Sequence, residues 1–130
     1  MLKKTKKEEL AEFLSSDLWV ELNGLPEDCD PIFKTVIPLP EGRTQLAYME
    51  LNDYFFQLSS PFADQGELAA ERAFRVNETL FGLEIKFGCY SLVMPGLVES
   101  FSAEIFLPVV LGIARNADAI EEKIGGGDSL

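Results

Sequence analysis

An α+β domain, built on one five-stranded antiparallel sheet with flanking helices, is the fold class that this sequence predicts. Three observations lead there. Segments of helical period stand near the start, in the middle and at the end of the chain. Three short alternating segments fill the first gap and two fill the second. The breaks between neighbouring strands hold only two or so turn residues, too few for a crossover helix, so neighbours run antiparallel. The predicted order is α-β-β-β-α-β-β-α, with residues 1–130 as a single domain and 125–130 as a frayed C-terminal tail.

The first helix is predicted from about Lys6 to Leu18. Thr5 and Glu8 form a capping-box pair, and Leu10, Phe13 and Leu14 follow at helical spacing. Four lysines around its start oppose the helix dipole. "NGLPEDCDP" is a loop by composition, with Glu27, Asp28 and Asp30 as an acidic knot that lacks the alternating ligands of a calcium loop. "PIFKTVIPLP", "RTQLAYMEL" and "YFFQLSS" are the first three strands, separated by "EG" and "ND" turns. Proline stops the first of them at Pro38 and Pro40. "SPFADQGELAAERAFRVNETL" returns to helical period, with Asp64 and Glu67 as its capping pair and Gly82 as its left-handed cap. Asn77 near its end reads as a structural joint, satisfying loose backbone groups. "FGLEIKFG" and "CYSLVMPG" alternate and turn at Gly88. The last helix places Val110, Ile113, Ala114, Ala117, Ile120 and Ile124 on one stripe, with Arg115, Asp118, Glu122 and Lys123 mostly off it. Pro108 predicts a short lead-in over 102–107 before the main helix.

Bulk properties narrow the function. The chain has 130 residues, 47% of them hydrophobic, and a net charge of −11. Lys3, Lys4, Lys6 and Lys7 supply four of its eleven basic residues, so the body beyond them is more acidic still. Such a body repels phosphate backbones and anionic lipid, which argues against nucleic-acid and membrane-surface roles. Cys29 and Cys89 have no histidine to complete a metal site, and free thiols in a reducing cytosol are expected, with a disulfide in an exported protein as the alternative. Glu8, Glu9, Glu12 and Asp17 interrupt what would be the apolar part of a leader, and the apolar run at 105–114 is too short to span a bilayer. A cytoplasmic protein without cofactor or metal is the expectation.

Alternation also assigns faces. Phe33, Ile37, Ala47, Met49, Leu51, Tyr54, Phe56 and Leu58 share the covered face of the first three strands. On the last two, Leu83, Ile85, Phe87, Tyr90, Leu92 and Met94 face the helices. The opposite face then carries Val36, Leu46, Tyr48 and Phe55, joined by Val93, beside Lys34, Glu50 and Gln57. A contiguous apolar patch of this kind marks an interface. It serves a dimer seam or a client groove, unless the loop at 23–31 or the N-terminal helix folds over it.

The motifs "FRVNETLFG", "LEIKFGCYSLVMPG" and "IARNADAIEEKI", the last with an Ala117-Asp118 pair, resemble the YbjN family of bacterial sensory transduction regulators. The element order, size and acidity resemble the type III secretion chaperone-like fold in which that family is placed, over residues 5–124. The resemblance implies a small, non-enzymatic, homodimeric protein that binds other proteins. Chaperones of this fold hold an unfolded client segment across their surface. Two other classes compete. A carboxylate enzyme would use Glu50 or Glu84 as general base, with their pKa values shifted in a shared cleft. An acidic decoy of nucleic acid would space carboxylates like phosphates along one face.

Overall fold

The computed structural model describes residues 5–15, 18–66, 72–73 and 81–125. Helix α1 spans Lys6–Leu14, and α2 spans Ala103–Gly125. Between them lie β1 (Val20–Glu21), β2 (Ile32–Pro38), β3 (Thr44–Leu51), β4 (Phe55–Asp64), β5 (Gly82–Lys86) and β6 (Cys89–Leu97). The architecture is α+β, with an antiparallel sheet in the order β1-β2-β3-β4-β6-β5.

Thr5 Oγ1 accepts the Glu8 N–H at 3.1 Å and caps α1 as its sequence indicates. The helix stops at Leu14, short of the expected Leu18, because Ser15 takes the C-cap and its hydroxyl donates to the Glu12 carbonyl at 2.8 Å. The chain then runs into β1, which the alternation did not announce, so the sheet has six strands among the described residues instead of five. Two residues are too few to show a period, and β1 exists only through its pairing of Val20 with Lys34 and Glu21 with Phe33.

The β3–β4 turn is held by Asn52, whose Oδ1 accepts from the N–H groups of Tyr54 and Phe55 at 2.9 and 2.7 Å. Tyr54 sits in this turn and is largely exposed, not on the covered face. Strand β4 runs through Pro61 to Asp64, so Asp64 pairs with Cys89 instead of capping a helix. A proline within an interior strand demands relief. A bulge between Pro61 and Ala63 provides it. The β3–β4 ladder ends at Tyr48–Ser59, and beyond it the Ser60 hydroxyl donates to the Leu46 carbonyl at 2.6 Å while Gln45 Nε2 donates to the Pro61 carbonyl.

Of the helix expected after Asp64, only Arg72 and Ala73 are described, and Ala73 is fully buried. Glu67 and Asn77 lie outside the described residues, as does most of the tail at 125–130. Gly82 does not adopt the left-handed cap conformation; it opens β5. Phe87 and Gly88 form the two-residue β5–β6 turn with φ of 54° and 79°, the sign that matches the right-handed twist of a hairpin.

Helix α2 is continuous through Pro108. Its missing N–H would have met the carbonyl of Glu104, an exposed residue in the first turn, so the bond is lost on the solvent side of the helix. The stripe from Val110 to Ile120 is buried against β3, β4 and β6, and Ile124 packs at its margin. Asp118 is buried too, because Arg43 reaches from the start of β3 to bond it. An aromatic cluster joins the helices. Phe106 stands edge-on to Phe13, Phe56 and Phe101 at 5.2, 5.4 and 5.3 Å.

Candidate functional site

The face of the sheet away from α2 has a readable register. Lys34, Tyr48, Ser59, Val93 and Gly82 form one row across β2, β3, β4, β6 and β5. Val36 pairs with Leu46 one row to one side, and Glu50 pairs with Gln57 one row to the other. Phe55 lies four residues along β4 from Ser59, about 13 Å at the usual strand rise.

This face is not flat. Lys86 of β5 reaches Glu50 of β3 at 2.8 Å, Gln57 of β4 reaches Glu84 of β5 at 2.6 Å, and the Phe87 ring packs on Tyr48 with centroids 4.9 Å apart. Flat strands at the spacing of β3 and β5, three positions apart, stand about 14 Å from each other. The β5 edge therefore curls back over the middle of the face. This self-coverage comes from the hairpin, not from the 23–31 loop or α1.

The five residues that alternation placed together consequently part company. Val93 is only 5% exposed, sealed between Ser59 and Gly82, and offers no surface to a partner. Leu46 and Tyr48 are half-buried beneath the hairpin tip, lining a cavity of about 100 Å³ with Pro61, Lys86, Phe87 and Cys89. Burial, and secondarily the neighbouring Cys89, pushes the Tyr48 phenol above its ordinary pKa. Phe55 joins Tyr54 and its cross-strand neighbour Leu97 at the far end, all three exposed. Val36 is exposed at the stretch of β2 that runs on past β1.

Val36 has company that its own strand did not reveal. Leu18, Val20 and Leu107 are also exposed. Leu18, Val36 and Leu107 line an apolar cleft of about 150 Å³ with Trp19, Pro38 and Leu111. The Thr35 hydroxyl donates to the Leu18 carbonyl and fixes the cleft's rim. The run Leu18-Trp19-Val20 carried the signal, but a reading that extends α1 to Leu18 absorbs it. Leu107 was hidden by the expected lead-in before Pro108.

The chemistry-bearing residues are dispersed. Glu50 and Glu84 are each held by a separate partner, Lys86 and Gln57, and not by each other. Glu27, Asp28 and Asp30 are exposed in the loop before β2, and among the described residues no group of three or more acidic, Cys or His side chains is placed to hold a metal ion. Cys29 and Cys89 are not joined in a disulfide, and the Cys89 thiol donates to Asp64 Oδ1 at 3.5 Å. No described helix is long and apolar enough to cross a membrane.

No family model matches the chain. No curated protein matches it either. Among solved structures, the crystal structure of an uncharacterized protein from Methanothermobacter thermautotrophicus is similar, with a TM-score of 0.52 and 13% identity, covering 92% of this chain and 99% of that one. At that identity the likeness is one of fold.

Proposed function

We propose that this chain is a non-catalytic protein-binding module, chaperone-like or regulatory, that homodimerises and holds a protein partner through an apolar sheet and helix surface. The reading places it in a bacterial cytoplasm, as a YbjN-like member of the type III secretion chaperone-like fold. The strand order of β2 to β6, the acidic charge and the three quoted motifs support that kinship.

One observation carries the functional part: Leu18, Val20, Val36 and Leu107 stay roughly half or more exposed around one end of the sheet, three of them in a single cleft. Fully burying such a side chain contributes about 1.5–3 kcal/mol, so four half-exposed ones leave about 3–6 kcal/mol unrealised. Association itself costs about 4–15 kcal/mol in lost freedom. The cleft alone therefore gives weak, exchangeable capture, as suits a holding protein, and tight binding needs a second contact.

The test compares the parent with a Val36→Ser, Leu107→Ser double variant, both sites being exposed. Chemically reduced lysozyme serves as an aggregating probe, followed by light scattering. The parent should delay aggregation at equimolar ratio and the variant should lose most of that delay with its thermal melt unchanged. A parent that neither delays aggregation nor self-associates from low micromolar to near-millimolar concentration refutes the reading.

A further inference from the structure

Among the described residues, the outermost strand of the sheet, β5, has one side without a partner strand. Among the described residues β5 pairs with β6 alone, in the register Gly82–Val93, Leu83–Leu92, Glu84–Ser91, Ile85–Tyr90 and Lys86–Cys89. The two-residue turn at Phe87-Gly88 fixes which backbone groups point outward. Lys86 and Cys89 flank it and form the hydrogen-bonded pair that closes such a hairpin, and bonded and non-bonded pairs alternate from there. Glu84 and Gly82 thus also aim their N–H and C=O groups at β6, whereas those of Leu83 and Ile85 aim outward. An open edge of this kind is a template for another strand. Natural edges are commonly blunted by proline or a bulge, and β5 has neither. Ile85 and the turn residue Phe87 are both about half exposed beside it.

The side chains of β5 select the strand that fits. In a twofold antiparallel pairing of β5 with another β5, residues on the same face must meet, so the axis passes through a residue. Centred on Glu84, the pairing opposes two carboxylates; centred on Lys86, it opposes two ammonium groups. Like charges directly opposite destabilise a ladder. Centred on Ile85, it sets Glu84 against Lys86 of the other copy, and Lys86 against Glu84, at non-hydrogen-bonded positions where side chains lie closest. The same axis lets the two Ile85 residues exchange both outward backbone bonds and stacks their side chains on the opposite face, with Leu83 diagonal to them. The Leu83-centred register shares the backbone direction but sets Glu84 against Gly82 and makes no charge pair, so charge pairing, backbone direction and apolar contact coincide in the Ile85 register.

We propose that the free edge of β5 is the seam of a twofold dimer with a second copy of this chain, in the antiparallel register centred on Ile85. The seam rests on the homodimerisation proposed above and names its place. Each Lys86, already held by Glu50, gains the partner's Glu84, and each Glu84, already held by Gln57, gains the partner's Lys86. Two six-stranded sheets become one continuous sheet. The apolar clefts beside Val36, at the opposite edges, stay open for a client.

The experiment measures solution mass by light scattering from low micromolar to near-millimolar protein, for the parent, Ile85→Pro and Ile85→Lys. Proline at 85 removes an outward N–H and leaves the β5–β6 ladder intact, and lysine at 85 opposes a second lysine across the axis without touching the backbone. The expected result is a parent dimer near twice 14.5 kDa, with a dimer Kd raised at least tenfold in both variants and unchanged circular dichroism. Should Ile85→Pro misfold, Ile85→Lys decides alone. A parent dimer whose Kd moves with neither variant overturns the seam while leaving homodimerisation standing; a parent monomer throughout overturns both. Register is read by oxidative cross-linking in a Cys29→Ser, Cys89→Ser background. Ile85→Cys should link in high yield and Glu84→Cys poorly, and the reverse order overturns the register.

Discussion

Replacing Gly96 with alanine offers a sharp test of the packing. Gly96 lies opposite Phe56 across the β4–β6 ladder. A Cβ at position 96 would stand 2.2 Å from Phe56 Cζ, with both Cε atoms within 2.8 Å. Carbon atoms pack at about 3.5–4.0 Å, so the ring must move by more than an ångström. It has nowhere simple to go, because Phe56 is 7% exposed and its ring already stands edge-on to Phe106 at 5.4 Å. Forced overpacking costs about 1–3 kcal/mol, and a shift of this size against a pinned ring belongs in the upper half. For a domain of this length that lowers Tm by about 5–15 °C. Urea unfolding followed by circular dichroism, at one protein concentration, measures it. The decisive comparison repeats Gly96→Ala in a Phe56→Leu background, where the ring is gone. A coupling of at least about 1 kcal/mol between the two sites is expected. An alanine tolerated within about 0.5 kcal/mol, or equal losses in both backgrounds, would refute the claim that the ring occupies the glycine's side-chain space.

Three other outcomes are expected. Asp118→Ala removes the buried partner of Arg43, and urea unfolding should show a loss of about 1.5–3 kcal/mol, the usual worth of a hydrogen bond to a charged group. Tyr48 holds its proton longer in the folded protein than when unfolded, so its stabilisation is complete below the ordinary phenol pKa of about 10 and is lost as pH rises through the higher folded value. Absorbance titration should show a late phenol ionisation that disappears in Tyr48→Phe and moves back towards the ordinary range in Phe87→Asn, which uncovers the ring. Thr5→Ala deletes the cap of α1 and should cost about 0.5–1 kcal/mol, seen as faster amide exchange confined to the first turns of that helix.

Strand β3 and the buried stripe of α2 were legible because each buries one face and leaves the other wetter, whereas β5 buries neither face, with Ile85 half exposed, and β6 buries both from Tyr90 to Val93. The 2.0 and 3.6 periods are written directly in such residues, as Gln45, Ala47, Met49 and Leu51 show by alternating with less buried neighbours. What periodicity cannot carry is the third dimension of the sheet. Val93 alternates correctly with Leu92 and Met94, yet it is sealed between Ser59 of β4 and Gly82 of the curled β5. Asp118 sits between buried and exposed positions of α2, and its fate was decided by an arginine seventy-five residues earlier. The extension of β4 past Pro61 was hidden for another reason: side chains of Gln45 and Ser60 replace the ladder bonds that the proline region forfeits. The exposed apolar residues accordingly gather not in the middle of the face but at its rim, where Leu18 and Leu107 come from segments outside the strands.

The ladder between β4 and β6 has a consequence for the order in which the chain folds. Its innermost pair, Asp64 with Cys89, encloses residues 65–88, and its outermost, Phe55 with Leu97, encloses more. The β2–β3–β4 meander and the β5–β6 hairpin each close over short turns, on the microsecond scale of isolated hairpins. Their union must first overcome the entropy of ring closure, and among the described residues the bonds that begin to repay it lie where Asp64 and Gln65 meet Cys89 and Gly88. Docking of two preformed pieces is then the slow step, zipping outward from the bulge. Truncating Leu58 or Leu92 in that seam should slow refolding, while substitutions at the Phe87-Gly88 turn should chiefly change a fast early equilibrium. Refolding rates unaffected by the seam variants would show that the seam forms after the slow step and is not the slow step itself.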